Sequence, residues 1–570
     1  MSHMSGLPRR RHIIRTAVGG IVLASLIAAC GGSSDEGTAG TSGSTSAETT
    51  GESTGGTTGE VTSASGDIVI LRDMDLTTLD PHRMFCDTCM IVLSGAYERL
   101  VNVDPADPSK LLPGLATEWS ANADSTEFTF KLNPAATFAD GSPVTSADVK
   151  WSLERSANID AGGSFMLAGL QRVDTPDPTT AVVVFGAPNA PFLKIAGAAL
   201  ALSIANAKEL TDQAGALTGP GSDQDDADSW FAEGRSAGSG PYTIESYTTE
   251  QSIVLRRNEN YWGEKAPFAS ITIKEVADSA SQLLQMQAGD ADMAMNISFD
   301  SAADAAQIDG IEATALDSFN FIHLNLNHLA PGGENLADVR VRQAIRYAID
   351  YDKLIETTLA GNGRVQATAI PNGYPGTEGL ELPSRDLDKA KQLMADAGFA
   401  DGFSIESTYM KLNVYGVDFD TMMQRIQQDL KDINIDLQLN PVDRPQYVEL
   451  RKSTGIAIAP VYFAPDYIDA AEYIQYFGPV STSFRGFSGP VPGATYENDP
   501  DSEAKLAEAL ATSDEAARAV LYNEIAKQMI EDSEVLALVN PKALFVTRAD
   551  IPVEFNSPCC LLDLSLLGRS

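Results

Sequence analysis

The chain has 570 residues, which is too long for one simple core and indicates roughly two to four compact units. Hydrophobic residues make up 43% of the chain, a fraction typical of a globular protein and not of a membrane-embedded bundle. There are 78 acidic against 40 basic residues, giving a formal charge of −38. This balance argues against nucleic-acid binding, because phosphate contacts need clustered Lys and Arg side chains.

The first 30 residues have the form of an export signal. Four arginines within the first 15 residues are followed by the apolar run AVGGIVLASLIAA at 17–29, which is too short for an ordinary membrane-spanning helix. The run ends in IAAC and resembles a bacterial lipobox, where cleavage before a cysteine exposes it for lipidation. We therefore predict a lipoprotein signal peptide over 1–30 with lipid on Cys30. RRHII at 10–14 also fits a twin-arginine export motif, so the export route stays open.

Residues 31–66 consist almost entirely of Gly, Ser, Thr and Glu. Such a segment buries too little apolar surface to fold, and we predict a disordered tether. Lipid on Cys30, a tether and then a folded body describe a protein anchored to the outer face of the cell membrane, in the periplasm or at the cell surface. A single lipid chain binds a membrane only marginally, so stable anchoring implies more than one chain.

The predicted elements of the folded body mix strands and helices along its whole length. In chain order they are a strand at DIVILRD (67–73), a helix at MIVLSGAYERLV (90–101), a strand at EFTFKL (127–132), a helix at ADVKWSLERSA (147–157) capped by Thr145 or Ser146, a strand at SIVLRR (252–257), a helix at SQLLQMQAG (281–289), an alternating strand at FNFIHLNLN (319–327) and an amphipathic helix opened by Asp338. There is no fixed-period repeat. This pattern indicates an α/β body of more than one lobe.

A set of short stretches, in the same order along about 400 residues, resembles one known family. The stretches are LDPH (79–82), YERLV (97–101), the segment from LLPGLATEW to VKWSLER (111–155), GSGPYTIESY (238–247), LRRNENYWG (255–263), LQMQAGDADMAM (284–295), DVRVRQAIRYAIDYDKLI (338–355) and APDYIDAAEYI (464–474). Together they resemble the family 5 extracellular solute-binding proteins of bacterial ABC importers, the peptide and nickel type.

The resemblance implies an α/β fold, a two-lobed periplasmic-binding-protein-like clamp of type II with an enlarged first lobe and a ligand cleft between the lobes. Lobe one is expected over 67–318 plus 540–570, and lobe two over 319–539. Hinge closure would bury a peptide or peptide-like solute for delivery to a membrane permease. A non-peptide solute, such as a sugar or a metal complex, and a receptor that only senses its ligand are the alternatives within this class.

The same resemblance implies which partners the protein has and which groups it lacks. The partners are a peptide or other small solute and an ABC permease with its ATPase, and the membrane is reached through the lipid on Cys30. We expect a monomer with no catalytic residue, no cofactor and no nucleic-acid partner, because binding and delivery break no bond.

Asp466 in YFAPDYID is the principal predicted ligand residue. In peptide-binding relatives the aspartate at the matching position pairs with the ligand's α-amino group, a strong charge-assisted contact. The alternative is a structural aspartate that caps the turn before the next helix. Phe463 stands where relatives usually carry a tryptophan near the cleft, and Tyr462 precedes it. Met84 and Phe85 follow LDPH, where relatives often line the cleft.

One departure from the family pattern concerns the carboxylate end of the ligand. Dipeptide binders of this type use an arginine just before the helix that here contains MMQRIQQDL (422–430). The stretch MKLNVYGVDFD (410–420) has no arginine. This departure leaves open whether the cargo is a short peptide, a longer peptide or a non-peptide.

A secreted hydrolase is the alternative from another class of function. GRSAG at 234–238 fits the G-x-S-x-G pattern with Ser236 as nucleophile, which requires a strand before the serine and a helix after it. Pro241 follows closely and disfavours such a helix. We therefore favour a loop leading into the GSGPY stretch.

Cys86, Cys89, Cys559 and Cys560 remain if Cys30 carries lipid, an even number in an oxidising compartment. These disulfide candidates allow a bridge within CDTC or cross-links to the two C-terminal cysteines. The family layout places both segments in one lobe, so both pairings stay open. A zinc site is disfavoured because adjacent cysteines match no ordinary zinc-ligand spacing, and no metal site is predicted.

Overall fold

A computed structural model describes residues 66–481, 483, 491, 496–551, 553 and 561–568. Their strands are β1 (Asp67–Arg72), β2 (Val101–Val103), β3 (Leu111–Pro113), β4 (Ala116–Ala121), β5 (Glu127–Leu132), β6 (Leu170–Asp177), β7 (Thr180–Phe185), β8 (Tyr242–Thr248), β9 (Ser252–Arg257), β10 (Ser270–Glu275), β11 (Met293–Ala294), β12 (Ile311–Leu316), β13 (Phe321–Leu326), β14 (Gly363–Arg364), β15 (Phe403–Met410), β16 (Asn413–Val414), β17 (Val417–Asp418), β18 (Ile435–Val442), β19 (Ile458–Phe463), β20 (Val535–Pro541) and β21 (Ala543–Arg548). The predicted signal peptide, the tether, Cys30, Cys559 and Cys560 lie outside the described residues.

The helices of the same ranges are α1 (Asp87–Ala96), α2 (Ser146–Asn158), α3 (Phe192–Ile195), α4 (Ala199–Leu202), α5 (Ala207–Ala214), α6 (Ala227–Phe231), α7 (Ser279–Ala288), α8 (Phe299–Ala305), α9 (Val339–Ala348), α10 (Tyr351–Leu359), α11 (Leu387–Asp396), α12 (Phe419–Lys431), α13 (Arg444–Ser453), α14 (Ala470–Phe477), α15 (Pro500–Ala511) and α16 (Glu515–Asp532). Single 3-10 turns lie at Ser164–Leu167, Ser222–Gln224 and Glu334–Ala337. Among these helices, none is both long and apolar enough to cross a membrane.

A seven-stranded sheet is built in the order β12-β21-β11-β1-β10-β9-β8. The first strand pairs in parallel with β10 and β11, and the remaining pairs are antiparallel. Ile70 and Leu71 of β1, whose side chains point to opposite faces of the sheet, are both completely buried, as expected for a central strand covered on both faces. A separate antiparallel sheet, β4-β5-β7-β6, packs into the same hydrophobic core through Phe128 and Phe130.

A second large sheet has six strands in the order β14-β20-β13-β19-β15-β18. The alternating stretch 319–327 forms the predicted strand as β13, but all six of its residues are buried and neither face is open to solvent. The reason is its central position: Ile322 and Leu324 enter one apolar cluster, whereas Phe321 enters a second cluster on the opposite face. In β13 the alternating sequence pattern therefore belongs to a strand whose two faces are both covered by other residues.

The predicted strands at 67–73, 127–132 and 252–257 are confirmed as β1, β5 and β9, and three predicted helices are confirmed as α2, α7 and α9. The helix predicted over 90–101 is confirmed only in part, because α1 ends at Ala96 and Val101 begins β2. Their ends follow the expected capping chemistry. Thr145 and Asp148 form a capping box at the start of α2, and the carboxylate of Asp338 accepts the backbone N–H of Arg340 at the start of α9.

The chain passes between the two large sheets at two adjacent crossings. Residues 317–320 connect β12 to β13, and the single residue Lys542 connects β20 to β21. The side-chain amide of Asn540 donates to the backbone oxygens of Ser318, at 3.0 Å, and Asn320, at 2.6 Å. These hydrogen bonds hold the two crossing segments side by side.

The LDPH and WSLER stretches meet in a buried ion pair. The guanidinium of Arg155 donates to both carboxylate oxygens of Asp80, at 2.8 and 2.6 Å, and both side chains are completely buried. Burial alone would raise the pKa of Asp80, but the hydrogen bonds and the charge of Arg155 outweigh it and hold that pKa below its usual value. Burial and the Arg155 charge also lower the pKa of His82 to about 4, so its imidazole is neutral at pH 7.

Candidate functional site

The turn between β19 and α14 carries a buried pair of carboxyl groups. The phenol of Tyr476 donates to Asp466 Oδ2 at 2.9 Å. The backbone N–H of Asp466 donates to Glu472 Oε1 at 2.8 Å, and that of Tyr467 donates to Glu472 Oε2 at 3.3 Å. Asp466 therefore belongs to a local turn network, as the structural alternative expects, and its carboxyl group also shares a hydrogen bond with that of Glu472.

Burial is the main influence on both carboxyl groups. It raises the pKa of Asp466 to about 7, with a further contribution from the charge of Asp87, while the Tyr476 hydrogen bond opposes the rise. Burial and the charge of Asp466 raise the pKa of Glu472 well above its usual range. Among the described residues no Lys, Arg or His nitrogen lies within 4.0 Å of either carboxyl group. The pair thus lacks a cationic partner in the described part of the chain.

Asp87 lies in the first turn of α1, on the seven-stranded-sheet side of the protein. The carboxylate of Asp75 accepts the backbone N–H groups of Asp87, at 3.0 Å, and Thr88, at 2.9 Å, which are among the N–H groups left free at a helix start. Cys86 is the N-cap of the helix, and its sulfur accepts the backbone N–H of Cys89 at 3.0 Å.

The structure joins Cys86 to Cys89 in a disulfide bond. Of the two pairings that the sequence left open, this is the local bridge within CDTC. Cys559 and Cys560 are outside the described residues. Within the described residues no group of three or more Cys, His, Asp or Glu side chains is arranged to hold a metal ion.

Tyr415 connects Asp87 to the six-stranded-sheet side of the protein. Its phenol donates to Asp87 Oδ2 at 3.3 Å, and its ring contacts that of Tyr462 edge-to-face at 5.7 Å. Tyr415 occupies the turn between β16 and β17 with φ at +53°, a conformation that L residues adopt rarely. Burial and the charge of Asp75 raise the pKa of Asp87 to about 7, although Arg72 and the Tyr415 hydrogen bond oppose the rise.

The other predicted ligand residues fall into two groups. Tyr462 and Phe85 have accessible rings: Tyr462 is half-buried beside Tyr415, and Phe85 is 45% exposed. Phe463 is only 7% exposed and packs in an aromatic cluster, and Met84 is completely buried in the core. Phe463 can therefore shape the cleft only through its neighbours, such as Tyr476 at 5.1 Å between ring centroids.

Ser236 is not placed as a hydrolase nucleophile. The backbone N–H of Ile244 donates to its hydroxyl oxygen at 3.0 Å, and the next element after GRSAG is the strand β8, not a helix. The hydroxyl thus closes a loop onto the strand that follows it, as expected for the loop interpretation.

Sequence reasoning did not single out four residues of the candidate site: Arg72, Asp87, Tyr415 and Glu472. Asp87 lies inside CDTC, a stretch whose cysteine spacing is its most visible feature. An acidic residue in the first turn of a helix is nevertheless a recognisable signal of a helix start. Glu472 lies six residues after Asp466 in the same predicted turn-and-helix segment. No local pattern indicates that Arg72 and Tyr415 meet Asp87, because residues 72, 87 and 415 come together only in the tertiary fold.

Two large sheets joined by adjacent crossings, with a buried carboxyl pair that has no cationic partner among the described residues, are typical of a two-lobed binding protein. Residues 110–484 match the family described as bacterial extracellular solute-binding proteins, family 5, middle. The chain belongs to this family.

The relatives and structural neighbours agree with this assignment. The probable D,D-dipeptide-binding periplasmic protein DdpA of Escherichia coli is 30% identical over 481 residues, covering 83% of this chain and 88% of the relative. The glutathione-binding protein GsiB of Salmonella paratyphi A is 24% identical over 488 residues, covering 84% and 90%. The dipeptide-binding protein of Pseudoalteromonas in complex with Met-Leu superposes with a TM-score of 0.73 at 19% identity, covering 88% of this chain and 99% of that protein. The fold is thus the predicted α/β two-lobed periplasmic-binding-protein clamp.

Proposed function

We propose that this protein is the extracytoplasmic receptor of an ABC importer and captures peptides, or peptide-like solutes, that carry a free α-amino group. The observation that carries the proposal is the buried pair Asp466 and Glu472, which has no cationic partner among the described residues. Buried carboxylates are normally paired, because an uncompensated charge is costly to desolvate. The peptide and glutathione binders among the relatives support the choice of cargo.

The ammonium group of the ligand would lie between Asp466 and Asp87. The charge of Asp87 raises the pKa of Asp466, so the two carboxyl groups are close enough to repel each other when both are ionised. A cation between them converts this repulsion into two attractions. Tyr476 and Tyr415 each donate a hydrogen bond to one of the two carboxylates, and the ammonium group would compete with Glu472, whose carboxyl group shares a hydrogen bond with that of Asp466.

The cleft would lie between lobes with the predicted boundaries, 67–318 plus 540–570 and 319–539. The seven-stranded sheet supplies Asp87 through α1, and the six-stranded sheet supplies Asp466 through the turn after β19. A ligand held by both groups would connect the lobes, and the crossings at 317–320 and Lys542 are the segments that would absorb a hinge motion.

The remaining parts of the proposal concern location and partners. Lipid on Cys30 and the tether at 31–66 would hold a monomeric receptor at the outer face of the membrane, next to a permease and its ATPase. The receptor would make and break no bond in its cargo. The alternative is a solute that is not a peptide, and the capture experiment below distinguishes the two kinds of cargo.

Capture from a defined mixture tests the proposed cargo. Purified protein is incubated with synthetic peptides of two to four residues, each present with a free and with an acetylated amino terminus, and bound species are identified by native mass spectrometry. We expect the free-amine forms to be captured and the acetylated forms to be left behind, because acetylation removes the charge that Asp466 and Asp87 bind. Equal capture of both forms, or capture of no peptide, would contradict the proposal.

The affinity for a free-amine peptide should depend on pH with a definite sign. Asp466, with a pKa of about 7 in the unliganded protein, holds a proton below that pH and must lose it to bind an ammonium group. Asp87, with a pKa also raised to about 7, must lose its proton as well, so affinity should fall by about tenfold per pH unit below 7 for each proton that the two carboxyl groups release. Above about pH 8 it should fall again as the α-amino group loses its own proton.

Titration calorimetry from pH 5 to 9, in buffers of different ionisation enthalpy, measures both the affinity and the number of protons released. Asp466→Asn serves as the control, since its amide has no proton to lose and the acid-side slope contributed by this group should disappear. A flat profile between pH 5 and 7 in the unmodified protein would show that neither carboxyl group binds the ligand's cation.

A further inference from the structure

The loop after β7 meets the end of α15 across the boundary between the two predicted lobes. The backbone N–H of Ala190 donates to the backbone oxygen of Leu510 at 2.8 Å. Ala190 belongs to lobe one, whereas Leu510 lies in the last turn of α15, in lobe two. The last four backbone oxygens of a helix have no partner within the helix. The other lobe satisfies one of them here, so separation of the lobes must break this hydrogen bond.

The residue next to Ala190 is held within its own lobe. The backbone N–H of Asn189 donates to the backbone oxygen of Ser125 at 2.8 Å, and both residues belong to lobe one. This hydrogen bond can persist when the lobes separate. Two adjacent backbone N–H groups thus differ in one respect: that of Ala190 depends on closure of the lobes and that of Asn189 does not.

A buried ammonium group adds a charge attraction to the same contact. Lys194 is buried, and its Nζ donates to the backbone oxygens of Pro108, at 3.3 Å, and Ser109, both in lobe one. The carboxylate of Glu515, in the first turn of α16 in lobe two, lies 3.9 Å from the same nitrogen. Burial lowers the pKa of Lys194, and the charges of Glu515 and Asp469 oppose this change. Carboxylates of lobe two therefore favour the charged form of a lobe-one lysine.

Arg518 holds the lobe-two half of the contact in place. Its Nη2 binds Asp469 Oδ2 at 3.0 Å and lies 3.8 Å from Glu515 Oε1. Its Nη1 donates to the backbone oxygen of Thr512 at 3.3 Å, in the turn between α15 and α16. Leu510 and Glu515 stand on either side of this turn, so both reach lobe one from a segment of defined shape.

Cavities lie on both sides of the contact. One of about 190 Å³ has Lys194 and Glu515 in its wall, and another of about 150 Å³ has Pro191 and Leu510 in its wall. Residues of both lobes line each cavity. The contact is therefore a narrow bridge between two open spaces, where a single substitution can weaken it.

We propose that Ala190 and Lys194 of lobe one, with Leu510 and Glu515 of lobe two, form a latch that stabilises the closed arrangement of the lobes. None of the four is a candidate ligand residue. The apparent dissociation constant of a ligand rises as the binding-competent fraction of the protein falls. The latch therefore raises the affinity for every ligand by the same factor and slows ligand release, and it takes no part in the choice among ligands.

Hydrogen exchange tests the latch without any ligand. Deuterium uptake is read at single-residue resolution by electron-transfer fragmentation and mass spectrometry, with the Asn189 amide as the internal reference. In Glu515→Gln we expect the Ala190 amide to exchange about two- to fivefold faster, the size expected for loss of a partly exposed ion pair, while the Asn189 amide is unchanged. Glu508→Gln is the matched control: it removes the same charge from an exposed position on α15 and should change neither amide.

A second variant removes the hydrogen bond across the lobes. Ala190→Pro has no N–H to donate, and it should weaken the binding of two free-amine peptides from the capture experiment by about three- to tenfold, as expected for one hydrogen bond. The ratio of the two affinities should stay the same and both peptides should dissociate faster, as surface plasmon resonance measures.

Ala187→Pro is the matched control for this variant. Ala187 lies in the same loop, also precedes a proline and is exposed, and its N–H donates no hydrogen bond among the described residues. Its replacement should leave affinity and dissociation rate unchanged. If Ala190→Pro does not fold, hydrogen exchange in the unmodified protein and in Glu515→Gln still decides.

The outcomes separate the latch from the proposed cargo. An Ala190 amide that exchanges as fast as an unprotected amide in the unmodified protein overturns the latch. Unchanged exchange of Ala190 in Glu515→Gln overturns the part assigned to Lys194 and Glu515. A changed ratio of the two peptide affinities in Ala190→Pro overturns the separation of closure from ligand choice. Capture of no peptide overturns the peptide-receptor proposal, and hydrogen exchange then decides the latch alone.

Discussion

Replacing Asp466 with asparagine is expected to reduce the affinity for free-amine peptides by about 2–5 kcal/mol, the range measured when one partner of a buried charge pair is removed. Asparagine keeps the shape of the side chain and can still accept the 2.9 Å hydrogen bond from the phenol of Tyr476, so the turn should persist. What disappears is the negative charge that an ammonium group needs. Calorimetry with a peptide captured by the unmodified protein measures the loss directly.

Asp401→Asn is a matched control for this variant. Asp401 is exposed on the six-stranded-sheet side, so its replacement removes the same charge without touching the turn. It should bind peptides with unchanged affinity. If Asp466→Asn also binds with unchanged affinity, Asp466 is a structural aspartate of the turn, as the alternative interpretation of YFAPDYID holds.

A second large effect is expected on stability. Arg155→Met removes the guanidinium that binds both carboxylate oxygens of Asp80 and leaves buried Asp80 and Asp225 to share Arg83 alone, and removal of one member of a buried ion pair costs up to about 3–5 kcal/mol of unfolding free energy. Methionine fills a similar volume, so the loss reflects the uncompensated charge more than a cavity. The free energy of unfolding is measured by urea denaturation followed by circular dichroism.

Arg172→Met provides the control, because Arg172 forms an exposed ion pair with Asp174 and should cost less than about 1 kcal/mol. Adding Asp80→Asn to Arg155→Met should restore part of the stability, since Asp225 is then the only one of the two buried carboxylates that still needs the charge of Arg83. Equal stability of Arg155→Met and Arg172→Met would mean that the buried pair does not contribute to holding LDPH against α2.

The sequence predicted the elements of this fold well where local signals decide them. Strand β5 begins and ends at the predicted residues, and Thr145 caps α2 as expected. The depth of burial was harder to predict, because it depends on what covers each face. In β13 both faces are covered, so its alternating pattern does not mark a solvent-facing side.

The candidate site could be predicted only in part from the local sequence. Asp466 was found because the surrounding residues resemble a family motif, and Tyr462 was found beside it. Arg72, Asp87 and Tyr415 belong to segments separated by 15 and 328 residues, and only the pairing of strands and the crossing of the chain bring them together. Phe463 was singled out by position, but its ring points into an aromatic core.

The disulfide within CDTC has a consequence for how a ligand is selected. The ring closed by Cys86 and Cys89 encloses two residues, Asp87 and Thr88, and their N–H groups are the ones that Asp75 binds. The backbone of Asp87 is therefore held in place and its carboxylate is bound by Tyr415, so little conformational entropy would be lost at a ligand contact there. An acceptor that cannot move would select ligands by length. A ligand whose ammonium group lies one bond farther from the carboxylate would lose this contact.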